Sequence, residues 1–315
     1  MSFQVQGDNI MATVESVSYK DLRRGIKKAK RDLVFNLILY VLLILFAVAT
    51  LYPFIHLLAC SFNEGLDSVT GKIHFFPRKF STENYETIFS RNYILVAIRI
   101  TLLRTIIGTL TSLLASALLS FILSRKSFIF KRSLSLFWII TMYASAGIIP
   151  TMVLFRRMHL HDNFWVYIIP GMVSVFNVMV MRTYMRKIPD SLEESAMLEG
   201  AGYMTLFTKI ISPLCKPVYA ATALFVATYH WNSWFDTLLY NRMSIHYRTL
   251  QYELREMFYY YQYPQEARYM QRLPVPFALL SAAAVIAMLP LLVAYPFVQR
   301  YFVTGLSIEG IKDCD

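Results

Sequence analysis

Six long runs of apolar residues alternate along the chain with shorter polar and basic stretches. A helix that crosses the hydrocarbon core of a bilayer needs about 20 predominantly apolar residues, and each run is long enough. The pattern therefore predicts an all-α membrane protein with six transmembrane helices, over residues 33–57, 93–123, 134–155, 164–184, 217–239 and 274–297. These spans lie in one membrane domain over residues 33–300, flanked by a basic tail over 1–32 and a short tail over 301–315.

Two of the runs contain residues that interrupt an apolar helix. Arg99 and Arg104 lie inside the second run, where a charge is costly and usually faces a wet cavity or a partner. Pro170 and Gly171 lie inside the fourth run and predict a kink or an unwound turn, because proline breaks the helical hydrogen-bond ladder. Broken helices of this kind line the transport pathways of membrane carriers.

The polar segments between the runs predict loops of unequal size. Residues 61–92 contain FSTENYETIFS, which predicts a short helix at the membrane surface, and residues 240–273 are rich in tyrosine and charge. A third polar segment, over residues 185–216, separates the fourth and fifth runs. No stretch is long enough to form a separate soluble domain.

Composition supports the membrane assignment and charge gives an orientation. Hydrophobic residues make up 56% of the chain, charged residues only 16%, and mean hydropathy is +0.44, whereas soluble domains carry about 25% charged residues. The net charge of +11 does not indicate nucleic acid, because the basic residues lie between apolar runs rather than on one face. With the N-terminus inside, the inner segments hold 18 Lys and Arg and the outer segments 11, with two inside the second run. This bias predicts that both termini lie on the inner side.

The segment between the fourth and fifth runs has a helical pattern of its own. Residues 189–194, PDSLEE, form a helix start with carboxylates near the positive end of the helix dipole. Gly200 and Gly202 break this first helix, and a second helix is predicted over 203–211, ending at Pro213. By its pattern alone, the segment is equally consistent with an amphipathic connector that rests on the membrane.

This segment resembles the EAA loop of ABC importer permeases, whose pattern is E-A-A, three residues, G, nine residues, I-x-L-P. The spacing is kept, with Ser195 in place of the second-position alanine and Ser212 in place of the leucine. The residues that correspond to the coupling loop are Glu194, Ser195, Ala196, Gly200, Ala201, Ile210 and Pro213. The sequences IIPTMVLFRRMHLHDNF, ATYHWNSWFDTLLYN and YPFVQRYFVTGLSIEGIK resemble the carbohydrate-uptake class, in particular its MalG-like and LplC-like members.

The resemblance implies a MetI-like type I importer permease fold in the bacterial inner membrane, with both termini inside. It also implies a heterotetrameric core of this chain, a homologous second permease and two ABC ATPase subunits, which would hold ATP and Mg. The EAA helix would dock on an ATPase, with Glu194 pairing to a basic residue there. No cofactor is expected in this chain.

The same resemblance implies that an extracytoplasmic solute-binding protein delivers the carbohydrate. The contact loop would be the tyrosine-rich segment, through Tyr259, Tyr260, Tyr261 and Tyr263. A loop that lies on the membrane surface is the alternative interpretation of this segment.

Several polar and aromatic residues in the spans are candidates for a substrate pathway: Arg104, Asn177, Met181, Tyr229, Trp231, Asn232 and Phe235. Rings and amides of this kind commonly hold sugars, although an aromatic belt at the membrane interface accounts equally well for the cluster in the fifth run. Arg99 and Asp236 are predicted to form an ion pair that either joins helices or touches substrate. Arg104 leaves an anionic sugar polymer as an alternative substrate.

Sequence patterns of enzymes and metal sites are missing from the chain. It contains no GxxxxGK[ST], HExxH or GxSxG sequence, so a transporter subunit without its own nucleotide site is predicted and not an enzyme. His159 and His161 have no further metal-ligating residues close in sequence, and the three cysteines lie far apart, so no metal site is predicted.

The favoured function is therefore the permease subunit of a carbohydrate importer, and three alternatives stay open. A permease for peptides or amino acids would carry the same EAA loop. A membrane-embedded enzyme should show paired acidic or His/Asp groups at membrane depth, which Asp236 alone does not supply. A channel or an ion-coupled carrier would not require the EAA spacing.

Overall fold

The computed structural model describes residues 19–68, 71, 73–144, 146–269 and 275–307, and no strand occurs within these ranges. The chain divides into two compact units, residues 1–56 and 57–315. We label the helices longer than four residues α1 Tyr19–Ser61, α2 Glu83–Ser90, α3 Asn92–Ser124, α4 Lys131–Tyr143, α5 Ile148–Arg157, α6 Val175–Met185, α7 Asp190–Leu198, α8 Tyr203–Leu214, α9 Lys216–Asn232, α10 Phe235–Tyr240, α11 Leu250–Gln262, α12 Pro264–Tyr269 and α13 Phe277–Ser307. Shorter turns are the helix Gly65–Ser68 and the 3₁₀ turns Phe164–Tyr167 and Ile245–Tyr247.

Three helices in the described ranges are long and apolar enough to cross a membrane: Asp32–Ser61, Asn92–Ser124 and Phe277–Pro296. The number rises to five if the bent pairs α4–α5 and α8–α9 each count as one span. The predicted count of six spans and the sidedness of the termini stay predictions.

The first, second and sixth apolar runs form continuous helices, as predicted. The second prediction, residues 93–123, agrees within one residue at each end with α3. Helix α1 begins inside the basic tail and runs past the predicted end at residue 57. Helix α13 continues past the predicted end at residue 297, and its predicted start at Pro274 lies outside the described residues.

The predicted third and fifth spans are wrong as single helices, whereas the unwound stretch predicted at Pro170 and Gly171 in the fourth is confirmed. The third is divided into α4 and α5, with Gly147 at a φ of 83° just before α5. The fourth is a 3₁₀ turn and an irregular stretch through Pro170 and Gly171, followed by α6. The fifth ends at Asn232, and α10 begins anew at Phe235. The hydrophobicity of a run predicts that it lies in the membrane, but not where its helix breaks. A break is tolerated where neighbouring groups satisfy the backbone N–H and C=O groups that it frees, and those neighbours are not evident from the run itself.

Helix α3 lies at the centre of the second unit, packed against α9 and α6. Its contact face carries small residues, which let neighbouring helices approach closely. Ser120 donates a hydrogen bond of 2.8 Å to the carbonyl of Val178 in α6, and Gly108 faces the ring of His230 in α9. The elements that carry the candidate sites are therefore held on one central helix.

The short helix predicted from FSTENYETIFS is confirmed as α2. Asn84 fastens α2 to the chain that follows α1, because its side-chain amide donates to the carbonyls of Ser61 and Asn63 at 3.0 and 2.8 Å. The buried Ile88 of α2 packs in one core with residues of α3 and α13.

Candidate functional site

The segment that resembles an EAA loop is a helix, a turn and a second helix, as its pattern predicts. Its first helix is α7, and its second is α8. The predicted end at Pro213 is wrong, because α8 continues through Pro213 to Leu214. Residues Leu206–Ile211 within α8 form a π-helical turn, and the chain then bends by 80° into α9.

Gly200 sets the turn between α7 and α8. It has a φ of +84°, a left-handed conformation that glycine adopts at little cost. The amide of Ala201 donates to the carbonyl of Ala196 at 2.9 Å, and the amide of Gly200 donates to that of Met197 at 3.0 Å. These two bonds form a Schellman motif that satisfies the last carbonyls of α7.

One face of the α7–α8 segment is buried against the helices of the membrane domain. Ala196, Leu206 and Ile211 share a core with residues of α3 and α6. The rings of Phe121 in α3 and Phe207 in α8 lie 5.2 Å apart. The segment therefore rests directly on α3 and α6.

The opposite face of the segment is exposed and partly apolar. Glu194 and Ser195 are exposed. Leu198 is 90% exposed and Met204 is 68% exposed. An exposed apolar surface next to a carboxylate is typical of a site where another protein binds.

Two ion pairs join α7 to the end of α3. Arg125 Nη1 lies 2.5 Å from Glu193 Oε2, with both side chains largely buried, and its guanidinium lies 5.0 Å above the ring of Phe121. Lys126 pairs with Asp190 at the exposed rim, and this contact lowers the pKa of the Asp190 carboxyl. The sequence pattern places these acidic residues near the helix dipole but does not predict the two pairs. The signal was present, because two basic residues directly follow the second apolar run.

A second cluster surrounds Arg104, and it corrects the predicted ion pair. Asp236 pairs with Arg104 and not with Arg99, since Arg104 Nη2 lies 2.5 Å from Asp236 Oδ2 and Nη1 lies 3.2 Å from Oδ1. Arg99 is exposed, whereas Arg104 is fully buried. Arg104 follows Arg99 by five positions, which places the two side chains about 140° apart around an α-helix. Only one of them can therefore face Asp236.

The guanidinium of Arg104 is held from several sides. It lies 4.3 Å from the centre of the Tyr167 ring, and Nη1 also reaches the carbonyl of Ser233 at 3.4 Å, in the break between α9 and α10. Tyr167 in turn donates to the carbonyl of Tyr247 at 2.6 Å and bonds to Thr237 at 3.0 Å. The cation is thus part of a fixed polar network inside the protein.

An open cleft of about 550 Å³ lies beside this network. Its lining includes Tyr167, Pro170, Gly171, Tyr229, Ser233, Phe235, Asp236 and Tyr240. A neighbouring depression of about 310 Å³ shares Gly171 and Tyr229 and is also lined by Asn177 and His230. Three of the predicted pathway residues, Asn177, Tyr229 and Phe235, therefore line neighbouring cavities, and the irregular stretch of the fourth run forms part of both walls.

Two predicted pathway residues lie in the core instead, and a third occupies the surface. Met181 has no exposed area and packs with the core beneath α7, so it lines no cleft. Trp231 is 4% exposed, and its ring N–H donates to the carbonyl of Ala287 at 2.8 Å. Asn232 is exposed and accepts a hydrogen bond of 3.3 Å from Gln251 in a shallow depression with Tyr229 and Phe235. Hydrophobic patterning does not distinguish the two faces of a helix that is apolar all round.

The tyrosine-rich segment forms the end of α11 and the start of α12. Tyr259, Tyr261 and Tyr263 are at least 40% exposed, whereas Tyr260 packs against the core. Tyr259 donates a hydrogen bond to Glu266 of α12. The exposed rings are available for contact with another molecule, and residues 270–273 of the predicted loop lie outside the described part.

The two loop histidines lie between α5 and the 3₁₀ turn Phe164–Tyr167. His161 pairs with Asp162 at 3.0 Å, and both side chains are exposed. Among the described residues, no group of three His, Cys, Asp or Glu side chains is placed to hold a metal ion.

Comparison with known proteins gives the class of this fold. No protein-family model matches the chain. Its structure is similar to a chain of a bacterial ABC transporter involved in the import of the acidic polysaccharide alginate, with a TM-score of 0.77 and 26% sequence identity. The likeness covers 86% of this chain and 98% of that chain. The class is therefore that of ABC importer permeases.

Curated relatives narrow the class to a family. The chain is 31% identical over 285 residues to the polygalacturonan/rhamnogalacturonan transport system permease protein YtcP of Bacillus subtilis, covering 90% of this chain and 99% of that protein. It is also 31% identical over 265 residues to Protein LplC of the same organism, covering 84% and 90%. A maltodextrin transport system permease protein, MdxG, is 28% identical over 286 residues. The chain belongs to the carbohydrate ABC transporter permeases.

Proposed function

We propose that the chain is one of two permease subunits of an ATP-driven importer of an oligosaccharide or polysaccharide. It works by alternating access, and the α7–α8 segment couples it to the ATPase subunits, which bind ATP and Mg. A homologous second permease completes the pathway, and an extracytoplasmic binding protein delivers the sugar. The chain lies in the bacterial inner membrane with both termini inside, as the Lys and Arg bias favours.

The observation that supports coupling most directly is the two-sided structure of the α7–α8 segment. Its exposed face offers Leu198 and Met204 to a partner, while its buried face rests on α3 and α6. A short helix that is fixed to the membrane helices moves them when its partner moves, as one rigid body. Glu194 stands on the exposed side and is available for an ion pair with a basic residue of the ATPase.

The substrate class follows from the relatives and fits the aromatic cleft. The names of two relatives specify polygalacturonan/rhamnogalacturonan and maltodextrin transport, and the similar solved structure is of a transporter involved in alginate import. The cleft at Tyr229 and Phe235 is large enough for one or two sugar rings, since small-molecule sites span about 300–1,000 Å³. A permease for a peptide or an amino acid is the alternative.

The experiment that tests the proposal is affinity purification of the chain carrying Leu198→Asp. A buried, unpaired carboxylate is costly, so we expect the amount of ABC ATPase that co-purifies to fall about tenfold, the ratio that 1.4 kcal/mol produces. The matched control is Met243→Asp, at an apolar side chain that is 83% exposed in the loop after α10.

Retention of the ATPase by the Leu198→Asp protein would contradict the assignment of this face. Sugar uptake into vesicles that hold the chain without any nucleotide-hydrolysing partner would contradict the importer proposal as a whole.

A further inference from the structure

We propose that the cleft beside Asp236 binds a sugar through its hydroxyl groups and rejects a carboxylate at that position, and that Asp236 sets this selectivity. The inference rests on the proposed function in carbohydrate import and specifies which part of the substrate this subunit accepts.

The charge of Arg104 is not available to an anionic sugar. Its guanidinium donates to both oxygens of Asp236 and to the Ser233 carbonyl. The side chain is 1% exposed and lies against the Tyr167 ring. A uronate entering the cleft would have to displace Asp236 from a two-point contact, which is among the stronger arrangements of charged hydrogen bonds.

The carboxylate of Asp236 presents an acceptor to the cleft. Its side chain is 20% exposed and forms part of the cleft lining. An ionised carboxylate has about four acceptor positions. Arg104 takes two of them, and the amide of Thr237 donates to Oδ1 at 2.9 Å. What is left on the cleft side accepts hydrogen bonds and cannot donate them, so it fits a hydroxyl group and not another carboxylate.

Five aromatic side chains form part of the remaining wall. Tyr229 is 62% exposed and Phe235 is 44% exposed, and Phe155, Tyr167 and Tyr240 complete the aromatic lining. Among the described residues that line the cleft, Asp236 is the only one with a charge. Flat aromatic faces beside a charged acceptor and the hydroxyl groups of Tyr229 and Tyr240 match the C–H faces and hydroxyl edge of a sugar ring.

A uronate placed here would face the carboxylate of Asp236, because Arg104 does not line the cleft and already donates to both Asp236 oxygens. Like charges at close range repel strongly in a partly buried site. The ligand class of this cleft is therefore a neutral sugar ring, and any uronate group of a longer substrate lies elsewhere in the pathway.

The test uses the importer purified with its partner subunits and reconstituted in vesicles. The probes are two matched pairs of trisaccharides: a galacturonate trimer and its carboxyl-reduced form, and an alginate trimer and its carboxyl-reduced form. Within each pair, the carboxylates are the only difference. The readout is the ratio of ATP-dependent uptake of the reduced form to that of the acidic form.

We expect the wild-type importer to favour the reduced form. The double variant Arg104→Gln/Asp236→Asn keeps a neutral hydrogen-bonded pair and adds a donor, so the preference should fall about tenfold, as for loss of 1.4 kcal/mol of discrimination. The single variant Asp236→Asn leaves the cation uncompensated and should reverse the preference.

The control is the double variant Arg248→Gln/Glu253→Gln. It removes another partly buried ion pair, with an N–O distance of 3.4 Å, away from the cleft lining. Its uptake ratio should equal that of the wild type. Co-purification of the partner subunits reports whether each variant assembles.

The outcomes separate the two proposals. Wild-type uptake without preference for the reduced form, or an unchanged ratio in the assembled Asp236 variants, overturns the role of the cleft while sugar import stands. ATP-dependent uptake of none of the four sugars overturns both. If the single variant Asp236→Asn fails to assemble, the double variant, which keeps a neutral hydrogen-bonded pair, decides by the same ratio.

Discussion

Gly108 is the residue that lets α3 and α9 meet. A Cβ built at this position would lie 2.8 Å from Cδ2 of His230 and closer still to other atoms of that ring. His230 is 2% exposed and has little room to move away. The absence of a side chain at Gly108 thus lets the backbone of α3 lie directly against the His230 ring of α9.

We expect Gly108→Ala to destabilise the protein by about 1–3 kcal/mol, because an added methyl group overpacks a closed contact. Thermal unfolding of the purified importer in detergent, followed by circular dichroism, measures the loss. Gly171→Ala is the control, since nothing lies within 4 Å of the added Cβ. An unchanged unfolding temperature for Gly108→Ala would show that the helices are not in contact there.

At the residue scale, the sequence predicts which residues are charged groups inside the membrane better than it predicts which of them pair. Arg104 and Asp236 were both identified as charges inside apolar runs, but the pairing was assigned to Arg99. The two partners are 132 residues apart in sequence. The spacing of residues in the sequence gives the angles between their side chains around one helix. It does not show which face of α3 meets α10.

At the scale of elements, α7 is fixed to α3 by two ion pairs of unequal burial. Arg125 and Glu193 are 9% and 17% exposed, whereas Lys126 and Asp190 are 81% and 50% exposed. Exposed pairs contribute little to stability, and breaking a buried pair leaves an uncompensated charge. The inner pair is therefore the one that sets the position of α7.

We expect Arg125→Gln to lower the sugar transported per ATP hydrolysed by about tenfold, as for a 1.4 kcal/mol shift away from the aligned position of α7. The ATPase should still co-purify, because the exposed face with Leu198 is unchanged. Lys126→Gln is the matched control and should have little effect.

Exchange of the charges, in Arg125→Glu/Glu193→Arg, should restore part of the coupling. The measurement is uptake and phosphate release in the same vesicles. Equal loss in the Arg125 and Lys126 variants would contradict a special role of the inner pair.

The bounds of a helix or turn were predictable from the sequence where a single local property determines them. Helix α3 and the turn at Gly200 follow from apolar length and from glycine at a helix end. The division of the fifth run does not, because the Ser233 carbonyl freed at the break is reached by Arg104 and Thr249 from other elements. Such breaks depend on tertiary contacts, which an apolar run cannot display.

At the scale of the whole molecule, the proposed orientation places the α3–α4 loop inside and α12 outside. Single cysteines at Ile129 and Tyr269 test it, because these side chains are 87% and 88% exposed. In a Cys314→Ser background, Tyr269→Cys should react with a membrane-impermeant maleimide in intact cells, and Ile129→Cys only after the membrane is opened. The native Cys60 and Cys215 are buried and serve as the unlabelled background. The reverse labelling pattern would contradict the orientation.

For the molecule as a whole, one polar segment indicates the family more specifically than the apolar spans do. Six apolar runs fit many kinds of membrane protein, and three of them are not single helices. The spacing from Glu194 to Pro213 was more informative, because a coupling element needs a turn and a buried face at fixed positions. The cleft was not predictable, since its walls come from three separated stretches of the chain, 147–155, 166–171 and 229–240.

The sequence distance between Arg104 and Asp236 also affects the synthesis of the chain and its insertion into the membrane. A ribosome adds about 5–20 residues per second, so the 132 residues between the partners take about 7–26 s to make. During that interval α3 carries an arginine without its counter-charge, at a membrane cost of about 2.5–3.5 kcal/mol. The apolar residues of α3, whose mean hydropathy is 2.1, have to offset this cost until the chain that completes the pair has been synthesised.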